Sequence, residues 1–233
     1  MNFAIPAWEM PSVPIHGTAE RFPVRHIYCV GRNYAEHAKE MGGDASKEPP
    51  FFFTKAADAI LAVDAGQRGR MRYPQATSDL HHEIEMVVAI GRAGTARTAE
   101  NALELVFGYA TGIDMTRRDL QNQMREKKRP WDIGKSFAQA APIAAIHAVK
   151  DVGHPTKGAI TLAVNGSERQ RGDLADMIWD VPHMIAFLTT MYELLPGDLI
   201  FSGTPSGVGK IVAGDRIDCR IAGLTPLAVD IVA

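Results

Sequence analysis

Cysteine is nearly absent from this sequence, and the two that occur, Cys29 and Cys219, stand far apart. They form neither a disulfide framework nor a C-x-x-C metal motif, so we expect two reduced, buried thiols. Long apolar runs are also lacking, since no stretch approaches the roughly 18 residues that a membrane-spanning helix needs. The first residues show no basic start followed by an apolar run, so we find no secretory signal and expect a cytoplasmic protein.

An excess of charge of one sign is lacking too. The formal net charge is −2, and the only basic run, Arg125 to Pro130, is short. Such a run is more typical of a solvated helix end than of a phosphate-binding surface. The sequence therefore argues against a protein that binds nucleic acid.

What remains is the composition of an ordinary globular chain: 233 residues, of which 46% are hydrophobic and 22% charged. This length suits one medium-sized domain. Proline is frequent near the beginning, so we expect an extended N-terminal arm over residues 1–24 and a single domain over residues 25–233.

Strand patterns outnumber helix patterns and do not alternate with them, which favours an α+β fold over a doubly wound sheet. Asn165-Gly166 between alternating apolar runs predicts a β-hairpin. Asp180 and Pro182 predict a helix start, with Pro196-Gly197 as its end. The other predicted elements are strands at 26–31, 50–55, 81–90 and 103–114, helices at about 33–41 and 116–129, and a long loop at 64–79.

Two carboxylates, Glu83 and Glu85, interrupt an otherwise apolar strand. Residues two apart in a strand point to the same face, so Ile84 and Met86 would pack into the core on the other face. An exposed strand face would explain the pair, but the apolar continuation favours a bound cation. Asp114, after another apolar strand, could be a turn residue or a third carboxylate ligand for a hard cation such as Mg²⁺, Mn²⁺ or Ca²⁺.

Two further pairs are spaced three residues apart, as on one helix face. His37 with Glu40 could form a general base that acts on water, or an ordinary surface pair. Arg118 with Gln121 could face an anionic ligand, followed by Lys135, or lie in solvent.

The glycine-rich loop from Ser202 to Lys210 lacks the spacing of a nucleotide-binding P-loop. Five residues separate Gly203 from Gly209, and Ile211 follows Lys210. We therefore reject a nucleotide site. The loop still brings backbone N–H groups and Thr204 close to whatever it faces.

Taken together, these motifs resemble the fumarylacetoacetate hydrolase family. The resemblance covers about residues 25–220, and the order and number of the motifs make it specific. The matching segments are VGRNYAEHAKEMG, PFFFTKA, HEIEMVVAIG, GYATGIDMTRRDLQ, GKSF, VNGSERQ and LLPGDLIFSGTPSGVG.

The resemblance implies a mixed β-sandwich roll, commonly a homodimer, with a lid around His37. Glu83, Glu85 and Asp114 match the acidic triad of the family, which usually holds Mg²⁺ or Mn²⁺. His37 and Glu40 match the pair that activates water. The matches to substrate-pocket positions are Arg32, Arg118, Gln121, Lys135 and Thr204.

The activity that the resemblance implies is metal-dependent hydrolysis of a carbon–carbon bond in an acylpyruvate. It favours fumarylpyruvate, an intermediate of gentisate degradation, with Lys135 stabilising the pyruvate enolate. The alternatives are an oxaloacetate decarboxylase, a hydroxymuconate-type isomerase and a non-catalytic oxo-acid-binding protein. The chain departs from the family at Ile113 and in KSFAQAAP; neither change removes a metal ligand or the lysine, but both bear on substrate choice.

Overall fold

The computed structural model describes residues 3–40, 49–96 and 98–233, and for residues 38–40 it describes the backbone alone. Its strands in chain order are β1 (Ser12–Pro14), β2 (Arg21–Pro23), β3 (Ile27–Gly31), β4 (Phe51–Lys55), β5 (Ile60–Ala62), β6 (Gly69–Arg72), β7 (Leu80–His82), β8 (Ile84–Ile90), β9 (Val106–Ile113), β10 (Thr116–Arg117), β11 (Ala141–Ile143), β12 (His147–Ala148), β13 (Ala159–Val164), β14 (Ser167–Asp173), β15 (Leu199–Phe201), β16 (Gly209–Ile211), β17 (Arg216–Ile221) and β18 (Leu227–Val232).

The helices are short. They are α1 (Ala35–Glu40), α2 (Ala99–Ala102), α3 (Arg118–Glu126), α4 (Asp132–Lys135), α5 (Val149–Val152) and α6 (Val181–Leu188), and three single 3₁₀ turns cover Ala57–Ala59, Leu103–Leu105 and Leu174–Asp176. None of the helices in the described ranges has the length and apolar character that crossing a bilayer requires.

Within the described residues, the strands form one large curled sheet and three smaller ones, of which the smallest pairs β1 with β2. The eight-stranded sheet has the order β4-β3-β15-β8-β9-β11-β5, with β12 also paired to β9. A five-stranded sheet has the order β14-β13-β17-β18-β6, and a three-stranded sheet has the order β10-β7-β16. Parallel and antiparallel pairs occur in the same sheet, so the predicted mixed α+β fold is confirmed.

The central strand β8 is buried on both faces. Ile84, Met86 and Val88 pack into the main hydrophobic cluster, while Val87 and Ala89 belong to a second one. The second cluster also contains residues of the β1–β2 hairpin, whereas the large apolar residues from Phe3 to Met10 are exposed. The expected boundary between an arm and a domain at residue 24 stays a prediction.

Local sequence signals correctly predicted the β13–β14 turn and the start of α6. The β13–β14 hairpin turns at Asn165 and Gly166, whose φ angles of 52° and 78° are those that a tight two-residue turn requires. The Asp180 side chain accepts a hydrogen bond from the His183 N–H at 3.0 Å and so caps α6.

Several element predictions were wrong in extent. Leu103–Leu105 of the predicted strand 103–114 form a 3₁₀ turn, and Thr116–Arg117 of the predicted helix 116–129 form β10. The stretch 64–79 contains β6, an edge strand whose pairing with β18 is a tertiary contact that its Gly- and Arg-containing sequence does not reveal. The helix that begins after Asp180 ends at Leu188, where the Thr189 hydroxyl bonds to the backbone oxygens of Ala96 and Ala186. Hydroxyl side chains that bond to the backbone compete with helix continuation.

The predicted strand 81–90 is in fact two strands in two sheets. The chain leaves β7 at His82 and enters β8 at Ile84, so Glu83 lies at the junction. The expectation of one charged and one apolar face was also wrong, because the face of Glu85 continues with buried Val87 and Ala89. The charge is confined to the end of the strand, next to the junction.

Candidate metal centre

Three carboxylates meet beside the junction of β7 and β8. Glu83 lies at the junction, Glu85 lies within β8, and Asp114 directly follows β9. Antiparallel pairing of β8 with β9 brings them together, and the Asp114 N–H donates to the Glu83 carbonyl oxygen at 2.8 Å. One oxygen from each carboxylate lies within 4.8 Å of the others, and all three side chains are buried. We call these residues the carboxylate cluster; their role as metal ligands stays a prediction.

Lys135 joins two members of the cluster. Its Nζ lies 2.8 Å from Glu83 Oε2, 2.7 Å from Asp114 Oδ2 and 2.6 Å from Thr116 Oγ1. Arg118 Nη2 donates to the other oxygen of Glu83. Burial by itself would raise the pKa of Glu83, but the positive charges of Lys135 and Arg118 outweigh burial and hold this pKa well below its usual value. Glu83 is therefore an anion at neutral pH.

A second buried lysine, Lys55 at the end of β4, was not predicted. Its Nζ lies 2.7 Å from Asp114 Oδ1 and 3.1 Å from the Met115 carbonyl oxygen, and it also donates to the carbonyl oxygen of Lys135. A lysine that ends an aromatic strand normally extends into solvent, so the sequence carries no signal for this contact. Lys55 fixes the backbone beside two predicted site residues.

Glu85 differs from the other two carboxylates because it lacks a cationic partner. Its Oε2 accepts a hydrogen bond from the Gly203 N–H at 2.8 Å, and no lysine or arginine of the described ranges forms an ion pair with it. Burial, with the negative charges of Asp114 and Glu83, raises the pKa of Glu85 well above its usual value. A divalent cation would supply the missing charge, and hard cations such as Mg²⁺ and Mn²⁺ prefer such oxygens. The donor set therefore fits a hard divalent metal.

The predicted substrate-binding pair on α3 is in contact. Arg118 Nη1 donates to Gln121 Oε1 at 2.5 Å, and both side chains are buried. Arg118 Nε also lies 3.4 Å from His81 Nδ1, and the other ring nitrogen of His81 lies 3.0 Å from Asp79. Because Arg118 also holds Glu83, the side of α3 that carries Gln121 is tied to the carboxylate cluster.

Thr204 is held by a residue that the sequence analysis missed, Gln170 on β14. Gln170 Nε2 donates to Thr204 Oγ1 and to the Pro205 carbonyl oxygen, both at 2.8 Å. Gln170 Oε1 accepts from the Ile84 N–H at 3.2 Å and lies 2.9 Å from His82 Nδ1. One amide therefore links the glycine-rich loop to the chain on both sides of Glu83. The loop continues into β16 and not into a helix, in agreement with the rejection of a P-loop.

His37 is buried on α1, and the segment before this helix is anchored by Asn33. Asn33 Nδ2 donates to the carbonyl oxygens of Trp179 and Ser202, both at 2.8 Å, and its Oδ1 accepts from the Trp179 N–H at 2.7 Å. The side chain of Glu40, the predicted partner of His37, lies outside the described part of the chain. The His37–Glu40 pair therefore stays a prediction.

One pocket collects most of the predicted residues. Those that line it are Arg32, His37, Glu83, Glu85, Arg118, Gln121, Lys135 and Thr204. Asp114 is fully buried and does not line the pocket, but it contacts Lys135, which does. Phe53, Trp131 and Arg125 also line the pocket and were not predicted. The basic run that begins at Arg125 thus reaches the site with its first residue.

Comparisons with known proteins by family model, by sequence and by structure all find relatives in one family. Residues 26–232 match the family model "Fumarylacetoacetate (FAA) hydrolase C-terminal". Fumarylpyruvate hydrolase of Ralstonia sp is 43% identical over 81% of this chain and 95% of its own length. The mitochondrial oxaloacetate decarboxylase of Dictyostelium discoideum is 38% identical over 89% of this chain and 94% of its own length. A solved structure, the crystal structure of fumarylpyruvate hydrolase from Pseudomonas aeruginosa in complex with Mn²⁺ and pyruvate, superposes on this chain with a TM-score of 0.97 over 99% of both chains. The two sequences are 50% identical.

Replacing Glu85 with glutamine should stabilise the metal-free protein and abolish its stabilisation by metal. Since the folded-state pKa of Glu85 is raised, its ionised form costs stability once the pH exceeds the unfolded-state value. Removing that charge should raise the free energy of unfolding of the metal-free protein by about 1 kcal/mol at neutral pH. Thermal unfolding in chelator and in excess Mn²⁺ measures both effects. Glu104→Gln, at an exposed position, is the control. A Glu85→Gln protein whose unfolding temperature still rises with Mn²⁺ would contradict the assignment of Glu85 as a metal ligand.

Mn²⁺ binding should release protons from the protein. The raised pKa of Glu85 keeps a proton on the cluster above the usual glutamate range, and a metal ligand must lose it. Affinity should therefore rise as the pH increases above the usual glutamate range. Calorimetry in buffers of different ionisation enthalpy counts the protons. Binding that is independent of pH and of the buffer would show that Mn²⁺ does not displace a proton from Glu85.

Proposed function

Since this chain belongs to the fumarylacetoacetate hydrolase family, we propose that it hydrolyses the carbon–carbon bond of an acylpyruvate in a metal-dependent reaction. The observation that carries the proposal is the carboxylate cluster in contact with Lys135 beside a pocket that also contains His37. Acid ligands, a cation and an imidazole are the groups that this hydrolysis needs.

The carboxylate cluster would hold Mg²⁺ or Mn²⁺, and we propose the same three residues as its ligands. Such a metal acts as a Lewis acid on the 2-oxo acid end of the substrate. Arg118 and Lys135 keep Glu83 ionised, so this ligand is ready to bind a cation at neutral pH. The Gly203 N–H fixes one oxygen of Glu85 and leaves its other oxygen for the site.

His37 is the proposed general base. It takes a proton from water, and the oxygen of that water attacks the carbonyl carbon of the acyl group. Because the pocket is lined by His37 on one element and by Thr204 on another, the substrate would lie between them. Glu40 is proposed to orient the imidazole, which favours one tautomer and raises its basicity.

Lys135 is proposed to stabilise the leaving group. When the bond between the acyl carbon and the adjacent methylene breaks, its electron pair passes into the 2-oxo group and forms the enolate of pyruvate. The ammonium of Lys135 is buried and fixed by three oxygens, so it can oppose this developing charge without reorganisation. Protonation of the methylene carbon then gives pyruvate, and the acyl group leaves as a carboxylic acid.

Fumarylpyruvate is the proposed substrate, with fumarate and pyruvate as products. The proposal is supported by two similar proteins that are themselves named fumarylpyruvate hydrolase, at 43% and 50% identity. Pyruvate in the Pseudomonas aeruginosa structure is the product expected at the metal end. The homodimer is likewise a proposal, which light scattering of the purified protein would test.

Oxaloacetate decarboxylation is the second candidate, because a relative of that name is 38% identical. Both reactions use a metal and pass through a pyruvate enolate, so the carboxylate cluster alone does not separate them. They differ in the attacking water, which only hydrolysis requires. The presence of buried His37 in the pocket therefore favours the hydrolase.

The purified protein with Mg²⁺ or Mn²⁺ should cleave acylpyruvates. We expect loss of enol absorbance and release of pyruvate with fumarylpyruvate, and a smaller rate with maleylpyruvate or acetylpyruvate. Full removal of metal by chelator should abolish the reaction, and added Mn²⁺ should restore it. Decarboxylation of oxaloacetate without cleavage of any acylpyruvate would refute the proposed function.

Replacing His37 with alanine should separate the two reactions. We expect acylpyruvate hydrolysis to fall by about 100-fold or more, because the base that activates water is lost. Any decarboxylation of oxaloacetate should persist, since that reaction needs no attacking water. His183→Ala, at an exposed position of α6, is the matched control. Equal loss of both reactions with intact Mn²⁺ binding would contradict the role of His37 as the base.

A further inference from the structure

The cations of the pocket fall into two groups. Arg118 and Lys135 are buried and already form ion pairs with the carboxylate cluster. Arg32 is half-buried and Arg125 is exposed, and within the described ranges neither has a carboxylate partner. The cations at the inner end of the pocket are therefore already paired, while those at its outer end have no carboxylate partner among the described residues.

Arg125 lies on the same face of α3 as the two inner residues. Arg118, Gln121 and Arg125 are separated by three and four residues, which aligns them along one side of a helix. Seven residues of helix correspond to about 10 Å. Exposure rises along this stripe, because Arg118 and Gln121 are buried and Arg125 is exposed. Arg125 therefore marks the outer end of the pocket.

Aromatic rings line the pocket together with this stripe. The Trp131 ring packs edge-on against Phe51, with 5.2 Å between ring centres, and is tilted against Phe53, with 5.9 Å between ring centres. The Lys135 ammonium lies 4.9 Å from the Phe53 ring centre. Flat rings suit a planar unsaturated chain. A substrate with its 2-oxo acid at Lys135 and its chain along these rings would extend toward Arg125.

We propose that Arg125 binds the far carboxylate of the substrate and so makes the pocket select acylpyruvates whose acyl chain ends in an acid. This proposal rests on the proposed function. In extended fumarylpyruvate, six bonds of about 1.5 Å place the two carboxyl carbons roughly 7 to 8 Å apart. The arginine fork can pair with a carboxylate through two hydrogen bonds. Arg70 and Arg72 are exposed on β6 and do not line the pocket.

Binding of two matched acids by the Mn²⁺-loaded protein tests the subsite without any turnover. 2-Oxoadipate and 2-oxohexanoate share a six-carbon chain and a 2-oxo acid, and they differ in the terminal carboxylate. In calorimetry, we expect the wild type to bind 2-oxoadipate about tenfold more tightly than 2-oxohexanoate. Arg125→Gln should reduce that ratio to about threefold or less. Arg125→Lys, which keeps the charge but loses the fork, should fall in between.

Arg129→Gln is the matched control, because Arg129 belongs to the same basic run but does not line the pocket. It should keep the wild-type ratio. A wild type that does not prefer 2-oxoadipate, or that binds neither acid, would overturn the proposal. So would an Arg125→Gln protein that keeps the preference.

Turnover separates this proposal from the proposed function. The ratio of kcat/KM for fumarylpyruvate to that for acetylpyruvate should fall about tenfold in Arg125→Gln. If the wild type cleaves neither compound but still prefers 2-oxoadipate, the proposed function fails and the subsite stands. If both compounds are cleaved and the ratio is unchanged in Arg125→Gln, the subsite fails and the proposed function stands.

Discussion

The burial of three carboxylates in one place is the constraint on which the rest of the structure depends. Such groups repel one another and lose their hydration, so each must be neutralised or protonated. Lys55, Lys135 and Arg118 supply three positive charges from three separate elements, but all of them contact Glu83 or Asp114. Among the described residues, Glu85 is left with one backbone N–H. This uneven distribution, and not the net charge, makes the cluster fit an additional cation.

The backbone around Glu85 links the carboxylate cluster to the segment that carries His37. Gly203 has a φ of 92°, and a Cβ added there would lie 2.6 Å from Asn33 Cβ. Only glycine combines that conformation with so close a contact. Gly203 thus binds Glu85 through its N–H and packs against Asn33, whose side chain anchors the segment before His37. A single backbone position connects a proposed metal ligand to the helix that carries the proposed base.

The sequence was informative where chemistry is local and uninformative where partners come from distant segments. Alternation and turn residues predicted the hairpin at Asn165-Gly166, and paired acids in an apolar strand predicted the grouping of Glu83 with Glu85. Lys55 and Gln170 were missed because a lysine at a strand end and a glutamine in a polar strand acquire their roles only through contacts across the fold. The break at Glu83 was missed for the same reason, since β7 and β8 have continuous β-propensity but pair with different strands.

The division of charge along the pocket bears on how similar sites can carry out different reactions. The inner end, with the carboxylate cluster and Lys135, suits any 2-oxo acid whose reaction yields a pyruvate enolate, and that includes oxaloacetate. Oxaloacetate has four carbons, so with its 2-oxo acid at the inner end its second carboxylate falls short of a cation about 10 Å along α3. An acid three carbons longer comes much closer to Arg125. Binding of the far carboxylate at the outer end would therefore favour a long acylpyruvate over oxaloacetate before any bond is broken. His37, as the proposed base, would then activate the water that hydrolysis requires.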